Sequence, residues 1–238
     1  MVLAAVAAFV GASVQSATGF GFALILTPAL FAALDSHEAI TVVLALSFAL
    51  NLLVLADGGP GPVRWRMLVP MLAAALPGLG LGAFVLAVAP KAALQVTVGL
   101  AVLAAALVQM RGAAHAREAP AWAVGLTSGT LTTSIGISGP PIVLWLEAHE
   151  LTPAEIRASL AAAFMALNLT GGLVVLATGG GGATDAGTLL PLLGLVLAGH
   201  LLGAVAFRRI HASWFSPVVL GLVAASGVFS VVAGLAAL

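Results

Sequence analysis

The chain has 238 residues, of which 62% are hydrophobic and only 7% are charged. Soluble globular domains carry about 25% charged and about 45–50% apolar residues, so this composition excludes a water-soluble globule. The formal net charge is zero and no polybasic run occurs, so nothing suggests nucleic acid and we predict no such partner. Cysteine is absent, so we predict no disulfide and no cysteine-ligated metal, and nothing else indicates a metal or cofactor.

The length suits one integral membrane domain over residues 1–238, since a spanning helix takes about 20 residues. No basic residue precedes Arg64, so the start of the chain lacks the charged region of a cleaved signal peptide. We therefore treat the N-terminus as part of the mature fold.

Eight apolar segments follow one another along the chain. The first, residues 2–34, and the fifth, residues 121–146, are each interrupted by a glycine-rich break, at 18–22 and at 134–141. Glycine loosens a helix and proline removes a backbone donor, so we predict that the helices stop at these breaks in mid-membrane. The other six segments have the length of one crossing: 39–56, 67–88, 92–110, 155–178, 188–206 and 216–237.

The sequence also contains an internal repeat, seen as ordered matches of glycine, proline, asparagine and glutamate. The two halves are residues 1–112 and 119–238, with four apolar segments in each. At a shift of 117 positions, and later of 121, the matched pairs are Gly19/Gly136, Glu38/Glu155, Asn51/Asn168, Pro70/Pro191, Gly78/Gly199 and Gly82/Gly203.

The basic residues decide between two membrane topologies. If all eight segments cross, the eight Lys and Arg residues divide four against four, which violates the positive-inside bias. If the fifth segment enters and leaves by one face, they divide seven against one, with Lys91 alone on the other side. The two arms of this segment are also too short to cross about 30 Å of hydrocarbon. We therefore predict a re-entrant hairpin at the fifth segment.

Repeat symmetry extends this prediction to the first segment. Each half then has one hairpin and three spans, and an odd number of spans inverts the second half relative to the first, as in many transporters. We predict an all-α integral membrane fold of two inverted repeats in the cytoplasmic (inner) membrane, with both termini outside. For the first segment, a broken helix that still crosses stays open as the alternative.

The two breaks predict a binding site near the membrane midplane. Non-helical backbone at this depth is tolerated only where it is buried in protein or lines a cavity. Helix N-termini that follow the breaks present free N–H groups and the positive end of a dipole, which suits a small anion. The alternative is that glycines only allow close helix packing, and we favour it for Gly78, Gly82, Gly199 and Gly203. The predicted substrate-binding residues are Thr18, Gly19, Phe20, Gly21, Asn51, Ser134, Gly136, Ile137, Ser138, Gly139 and Asn168.

Three polar residues within the predicted spans need separate interpretation. Asn51 and Asn168 either line the pathway or hydrogen-bond across helices to hold the hairpin tips, and the sequence leaves both open. His200 is the only ionisable residue that the pattern places well inside a span, so it is the candidate for proton coupling. The alternative for His200 is a neutral side chain that bridges two helices.

An enzymatic interpretation rests on Ser138 and His200. The segments around them resemble the serine and histidine segments of rhomboid intramembrane proteases. However, segments two to four contain no histidine, Pro140 and Pro141 replace the helix that should follow the serine, and the duplication is foreign to that fold. We therefore predict that the protein is not an enzyme and keep an intramembrane serine protease only as a remote alternative.

Two motifs carry a family resemblance. Thr18-Gly19-Phe20-Gly21-Phe22-Ala23-Leu24 with Pro28, and residues 136–144, resemble the two glycine-rich signatures of the sulfite exporter TauE/SafE family. The resemblance covers the whole chain, although Ser138 stands where the second signature often has glycine. It implies a membrane permease of two similar halves that transports small sulfur-containing anions such as sulfite or sulfonates. Composition and spacing alone indicate only a midplane anion site.

We therefore predict a secondary transporter of a small sulfur-containing anion that works by alternating access. The alternative of a different class is a passive anion channel, which also uses opposed half-helices. The predicted partners are the anionic substrate and the lipid bilayer, and a homodimer is left open.

Overall fold

The computed structural model describes residues 1–57, 61–111, 119–179, 186–209 and 212–237. Over these ranges the chain forms ten α-helices and no strand. In chain order they are α1 (Val2–Thr18), α2 (Phe22–Ala33), α3 (Ser36–Ala56), α4 (Trp65–Val88), α5 (Lys91–Arg111), α6 (Ala121–Ile135), α7 (Gly139–Glu147), α8 (Pro153–Ala177), α9 (Ala186–Arg209) and α10 (Ala212–Leu235).

The outer surface of these helices is apolar, as in an integral membrane protein. Within the described ranges, four helices are long and apolar enough to cross a membrane: α3, α4, α8 and the part of α9 over Ala186–Val205. Large side chains such as Phe84 and Leu201 are about two-thirds exposed on the outer helices, at 65% and 67%. Such a surface suits hydrocarbon rather than water.

The predicted helix breaks are confirmed. Helix α1 ends at Thr18 and α2 begins at Phe22, and α6 ends at Ile135 before α7 begins. The residue after each first arm is a glycine with a left-handed backbone, Gly19 at φ 93° and Gly136 at φ 72°. Their N–H groups donate to carbonyls of the preceding helical turn, so glycine both ends the helix and satisfies its last carbonyls.

Both broken segments fold back on themselves. The indole N–H of Trp145, near the end of α7, donates at 3.1 Å to the carbonyl of Ala119, just before α6 begins. The outer ends of α6 and α7 therefore meet. In the first segment, a Cβ at Gly11 would lie 3.2 Å from the carbonyl oxygen of Phe22, so the start of α2 lies against the middle of α1.

Glycines let the arms of the hairpins pack closely on other helices. Gly78 and Gly82 of α4 contact the backbone of α6, and Gly199 and Gly203 of α9 contact the backbone of α1. A Cβ at any of these positions would overlap a backbone carbonyl of the neighbouring helix. The packing role predicted for these four glycines is therefore confirmed.

The most enclosed of the long helices are α3 and α8. In the most apolar 18-residue stretch of each helix, the buried share of residues is 56% in α3 and 50% in α8. It is 39% in α4 and 28% in the described part of α9. Helices α3 and α8 pack on each other and carry Asn51 and Asn168, respectively. The two side-chain amides therefore lie in the interior of the domain.

The substitution Gly82→Ala tests the close packing of α4 on α6. The added methyl group would overlap the Thr130 carbonyl, so the helices must separate, at a cost of about 1–3 kcal/mol. We expect a lower thermal unfolding midpoint in detergent, followed by tryptophan fluorescence. Gly80→Ala, in the same helix with nothing near its Cβ position, is the matched control and should not lower the midpoint. Equal midpoints for the two variants would contradict the packing.

Candidate functional site

A narrow cavity lies between the two helix breaks. Its walls come from α1, both breaks, the start of α2, and the facing sides of α3 and α8. The space is about 20 Å³, and one water needs roughly 10–15 Å³ on this measure. The cavity is therefore narrow, with room for little more than one water molecule.

The structure brings seven of the predicted site residues into the wall of this cavity: Phe20, Gly21, Asn51, Ile137, Ser138, Gly139 and Asn168. Five further wall residues were not among the predicted substrate-binding residues, although Gln15 stands beside the first break, where a donor was considered. Ser47 and Phe164 each lie one helical turn before an asparagine of the site, and this spacing would have placed them on the same helix face. The five are Gln15, Ala23, Leu24, Ser47 and Phe164.

The predicted hydroxyls of Thr18 and Ser134 do not line the cavity. Thr18 donates from Oγ1 to the carbonyl of Val14 at 2.9 Å, and Ser134 donates to the carbonyl of Thr130 at 2.6 Å. Hydroxyl groups in apolar helices commonly satisfy themselves in this way, on a carbonyl one turn back. Both hydroxyls therefore bond to carbonyls in the last turns of their own helices.

The predicted glycines Gly19 and Gly136 lie behind the cavity wall. The Cβ positions of the two glycines face the side chains of Arg157 and Val43, respectively. These residues shape the turns and pack them on α8 and α3, while the next residues along the chain reach the cavity.

Asn51 both lines the cavity and holds the first break. Its side-chain oxygen accepts from Nε2 of Gln15 at 3.0 Å, and Oε1 of Gln15 accepts from the backbone N–H of Phe22 at 3.2 Å. The side-chain nitrogen of Asn51 donates to the carbonyl of Ser47 at 2.7 Å. Both roles left open for Asn51 are therefore combined in one buried network.

Asn168 is at the matched position but has a different environment. The counterpart of Gln15 in the second half is Thr132, whose hydroxyl donates to its own helix at Ser128, at 2.6 Å. Among the described residues, no hydrogen bond to the Asn168 side chain is formed, and its amide atoms keep some accessible surface although the residue is only 5% exposed. Because Asn168 lines the cavity, this amide can hydrogen-bond to a ligand there.

The N-terminus of α7 adds donors beside Asn168. Ser138 is its N-cap, and Pro140 and Pro141 in the first turn have no N–H group. The N–H groups that this helix end can offer are therefore those of Ser138 and Gly139, which both line the cavity. Together with the positive end of the helix dipole, they favour a negative ligand.

His200 lies outside the cavity wall, in a separate polar network. Its Nδ1 is 2.9 Å from Oγ of Ser16, and its Nε2 is 3.2 Å from the carboxylate of Asp57. Ser16 is fully buried, and His200 pairs with it rather than with Ser138. The serine–histidine pair that the protease interpretation requires is therefore not formed.

Arg157 is more buried than sequence reasoning anticipated. The pattern counted it among the basic residues of one membrane face, and the structure places it in the second turn of α8, close to the start of that helix. It is 8% exposed and donates at 2.7 Å to the carbonyl of Ser16, in the last turn of α1. A cation at a helix C-terminus is stabilised there by the exposed carbonyls and the helix dipole.

An all-helical membrane domain with a polar cavity at opposed helix breaks is the architecture of a multi-pass membrane transport protein. The sulfite exporter TauE/SafE family model matches residues 3–230, so the chain belongs to this family. The family is one of membrane transporters for sulfite and related sulfur anions rather than of enzymes. No curated protein and no solved structure matches the chain. The homodimer left open by the sequence finds no support in the family match.

The substitution Gln15→Leu tests the network at the first break. It leaves the amide oxygen of Asn51 and the N–H of Phe22 without their partner, at a cost of about 1–3 kcal/mol. We expect a clearly lower unfolding midpoint in detergent. Thr132→Val is the control at the matched position, because that hydroxyl bonds only to its own helix and its loss should cost little. A larger effect from Thr132→Val would contradict the network.

Proposed function

We propose that the protein is a secondary transporter of a small sulfur oxyanion or organosulfonate. The substrate binds between the breaks, where the narrow cavity has to widen to admit it, and crosses by alternating access. The observation that carries this proposal is the convergence of the Asn168 amide, Ser138 and the N-terminus of α7 on one narrow cavity. The narrowness of that space favours a transporter over a passive anion channel.

The wall of the cavity suits reversible binding of an anion. None of its described residues is charged, so the anion meets amides, a hydroxyl and backbone N–H groups instead of a fixed cation. Donors of this kind replace the hydration of a small oxyanion in a dry site. A neutral wall also allows release, because no ion pair has to be broken.

The residues of the cavity wall form matched pairs from the two halves, as expected of an inverted repeat. Eight of its wall residues form four pairs at the 117-residue shift, so the two halves, 1–112 and 119–238, contribute matching walls. The pairs are Phe20/Ile137, Gly21/Ser138, Ser47/Phe164 and Asn51/Asn168.

Helix packing supports the same repeat. Gly82 of the first half contacts Thr130 of the second half, and Gly203 of the second half contacts Ser13 of the first. Thr130 and Ser13 are themselves related by the 117-residue shift. Each hairpin therefore packs on a long helix of the other half, and we propose six spans with two hairpins that enter from opposite faces.

The ends of the helices support the predicted topology. The backbone N–H of Arg64 donates at 3.0 Å to Ser159 near the start of α8. Arg66 and His149 border one surface depression, so the outer end of the second hairpin shares this face. Lys91 borders another depression with the start of α3, at the opposite ends of α3 and α4. We propose that the Arg64 face is cytoplasmic, in the inner membrane, with both termini outside.

Cysteine labelling tests this topology, and the chain contains no native cysteine to interfere. Single cysteines at Arg66, Lys91 and Glu150 are treated with a membrane-impermeant maleimide in right-side-out and inverted vesicles. We expect Arg66 and Glu150 to react from the cytoplasmic side and Lys91 from the outside. Reaction of Glu150 and Lys91 from one side would mean that the fifth segment crosses, and the hairpin proposal would be wrong.

Flux into liposomes tests the site itself. We expect Ser138→Ala to weaken transport of sulfite and sulfoacetate about tenfold, the loss of one hydrogen bond to a charged group. Gly136→Leu should be more severe, because its φ of 72° and the nearby Val43 do not accommodate a side chain. Ser134→Ala is the matched control, since its hydroxyl bonds to Thr130 and lies outside the cavity wall.

Wild-type rates in both Ser138→Ala and Gly136→Leu, after normal insertion, would contradict the site assignment. A flux that saturates with sulfite concentration and responds to a pH gradient is the result expected of a transporter. An electrical conductance without saturation would instead establish the passive channel.

A further inference from the structure

The two helix N-termini that follow the breaks are not equivalent. At the start of α2, the N–H of Phe22 donates to Oε1 of Gln15 at 3.2 Å, and Gln15 is held in turn by Asn51. At the position of Gln15 in the second half, Thr132 donates to its own helix and does not occupy the start of α7. The donors that an anion can reach therefore lie on the side of the second half.

Phe164 borders the cavity beside these donors. Its ring lines the cavity, and Cζ of the ring lies 3.6 Å from the position that a Cβ at Gly139 would take, in the first turn of α7. Asn168, which also lines the cavity, follows one turn later on α8. Helices α7 and α8 pack on each other, so the ring and the donors belong to the same wall. An anion at the start of α7 has both as neighbours.

Packing fixes the position of the ring. Phe164 is 5% exposed and belongs to a buried apolar cluster that includes Val143 of α7 and Leu160 of α8. A ring held on several sides does not swing away to make room for a polar group. A ligand in this narrow cavity therefore has to fit the ring as well as the donors.

The ring is a feature of one half only. Phe164 matches Ser47 at the 117-residue shift, and Ser47 also lines the cavity. The first half therefore presents a hydroxyl-bearing side chain where the second half presents a benzene ring. The fold tolerates a small polar residue at this place in the repeat, so the ring is not required by the helix packing that the halves share.

A benzene ring is a poor neighbour for the oxygen of an anion. Its face carries negative charge density and offers no hydrogen-bond donor, so an oxygen pressed against it loses water and gains no partner. An apolar group in the same place costs nothing of this kind. The ligand that suits this wall has its oxygens toward the donors and none toward the ring.

Small sulfur anions differ in this respect. Sulfite is pyramidal, with every oxygen on one face and only the lone pair of sulfur on the other. An alkanesulfonate also carries its oxygens on one face, and its carbon substituent stands opposite them. Sulfate and phosphate are tetrahedral and present oxygens in every direction, so one oxygen has to face the ring.

We propose that Phe164 is the specificity-determining residue of the site and that it selects anions whose oxygens lie on one face over tetrahedral oxyanions. The inference rests on the proposed function and deepens it, because it defines the shape of the substrate class. Sulfite and small alkanesulfonates are accepted, and sulfate and phosphate are rejected. Phe164 acts mainly through its unfavourable contact with the wrong anion.

Affinities of the purified protein for sulfite, methanesulfonate and sulfate test this selection. Isothermal titration calorimetry in detergent is carried out at mildly alkaline pH, where sulfite and sulfate are both dianions. We expect wild type to bind sulfite roughly tenfold more tightly than sulfate, because one sulfate oxygen is left without a partner at the ring. Methanesulfonate is expected to bind as well, since its methyl group faces the ring.

Variants at Phe164 show whether the ring is the cause. Phe164→Leu keeps an apolar side chain and should keep the preference for sulfite over sulfate. Phe164→Ser, which introduces the residue type of position 47, should bring the two affinities close together, because a hydroxyl or water then meets the extra oxygen. Phe164→Ala should act in the same direction by admitting water. Phe84→Ala, which removes a ring from the outer surface of α4, is the control and should leave the ratio unchanged.

The outcomes separate the inference from the function on which it rests. If wild type binds neither sulfite nor methanesulfonate and carries neither into liposomes, the proposed function is wrong and the inference falls with it. If wild type binds sulfite and sulfate equally, or binds sulfite and not methanesulfonate, the inference alone is overturned. A wild-type ratio in folded Phe164→Ser or Phe164→Ala protein would overturn it too, since the selection would then come from another part of the wall.

Discussion

Lipid offers no hydrogen bonds to a protein backbone, so a break in a helix at membrane depth has to be compensated from within the protein. Much of this structure follows from that constraint. At the first break, the N–H of Phe22 is satisfied by Gln15, which Asn51 holds in place. At the second break, the N–H of Gly136 donates to the carbonyl of Thr132. The polar groups that remain free after this compensation are the ones that can bind an anion.

Close packing of small residues places these breaks opposite each other. Gly82 and Gly203 let the hairpin arms approach a long helix so closely that backbone touches backbone. Without a hydrophobic driving force between helices in lipid, such contact is the main source of association. These glycines therefore carry no chemistry of their own and act by holding the first arm of each hairpin against a long helix.

The sequence was informative about where along the chain the helices break and less so about which way side chains point. The breaks, the packing glycines and seven wall residues were predicted because glycine, proline and segment length report where along a segment a residue lies. Ser134 and Thr18 lie beside the breaks as predicted, but their hydroxyls donate to carbonyls of their own helices. Burial of Arg157 was missed because its partner, the carbonyl of Ser16, belongs to a helix 141 residues away in the chain. Such partners are set by tertiary packing, which local pattern does not encode.

The exchange of hairpins between the halves has a consequence for how such a chain could arise. On the proposed topology, a single half would have no packing partner for its own hairpin. The glycine-bearing face of its long helix would also have none. Two copies of one half, inserted in opposite directions, would supply each other with the missing surfaces. An ancestral half-length protein would therefore have been complete only as an antiparallel pair. Fusion of two such copies would then allow each half to specialise, and Leu79 and His200 are matched positions that carry different residues.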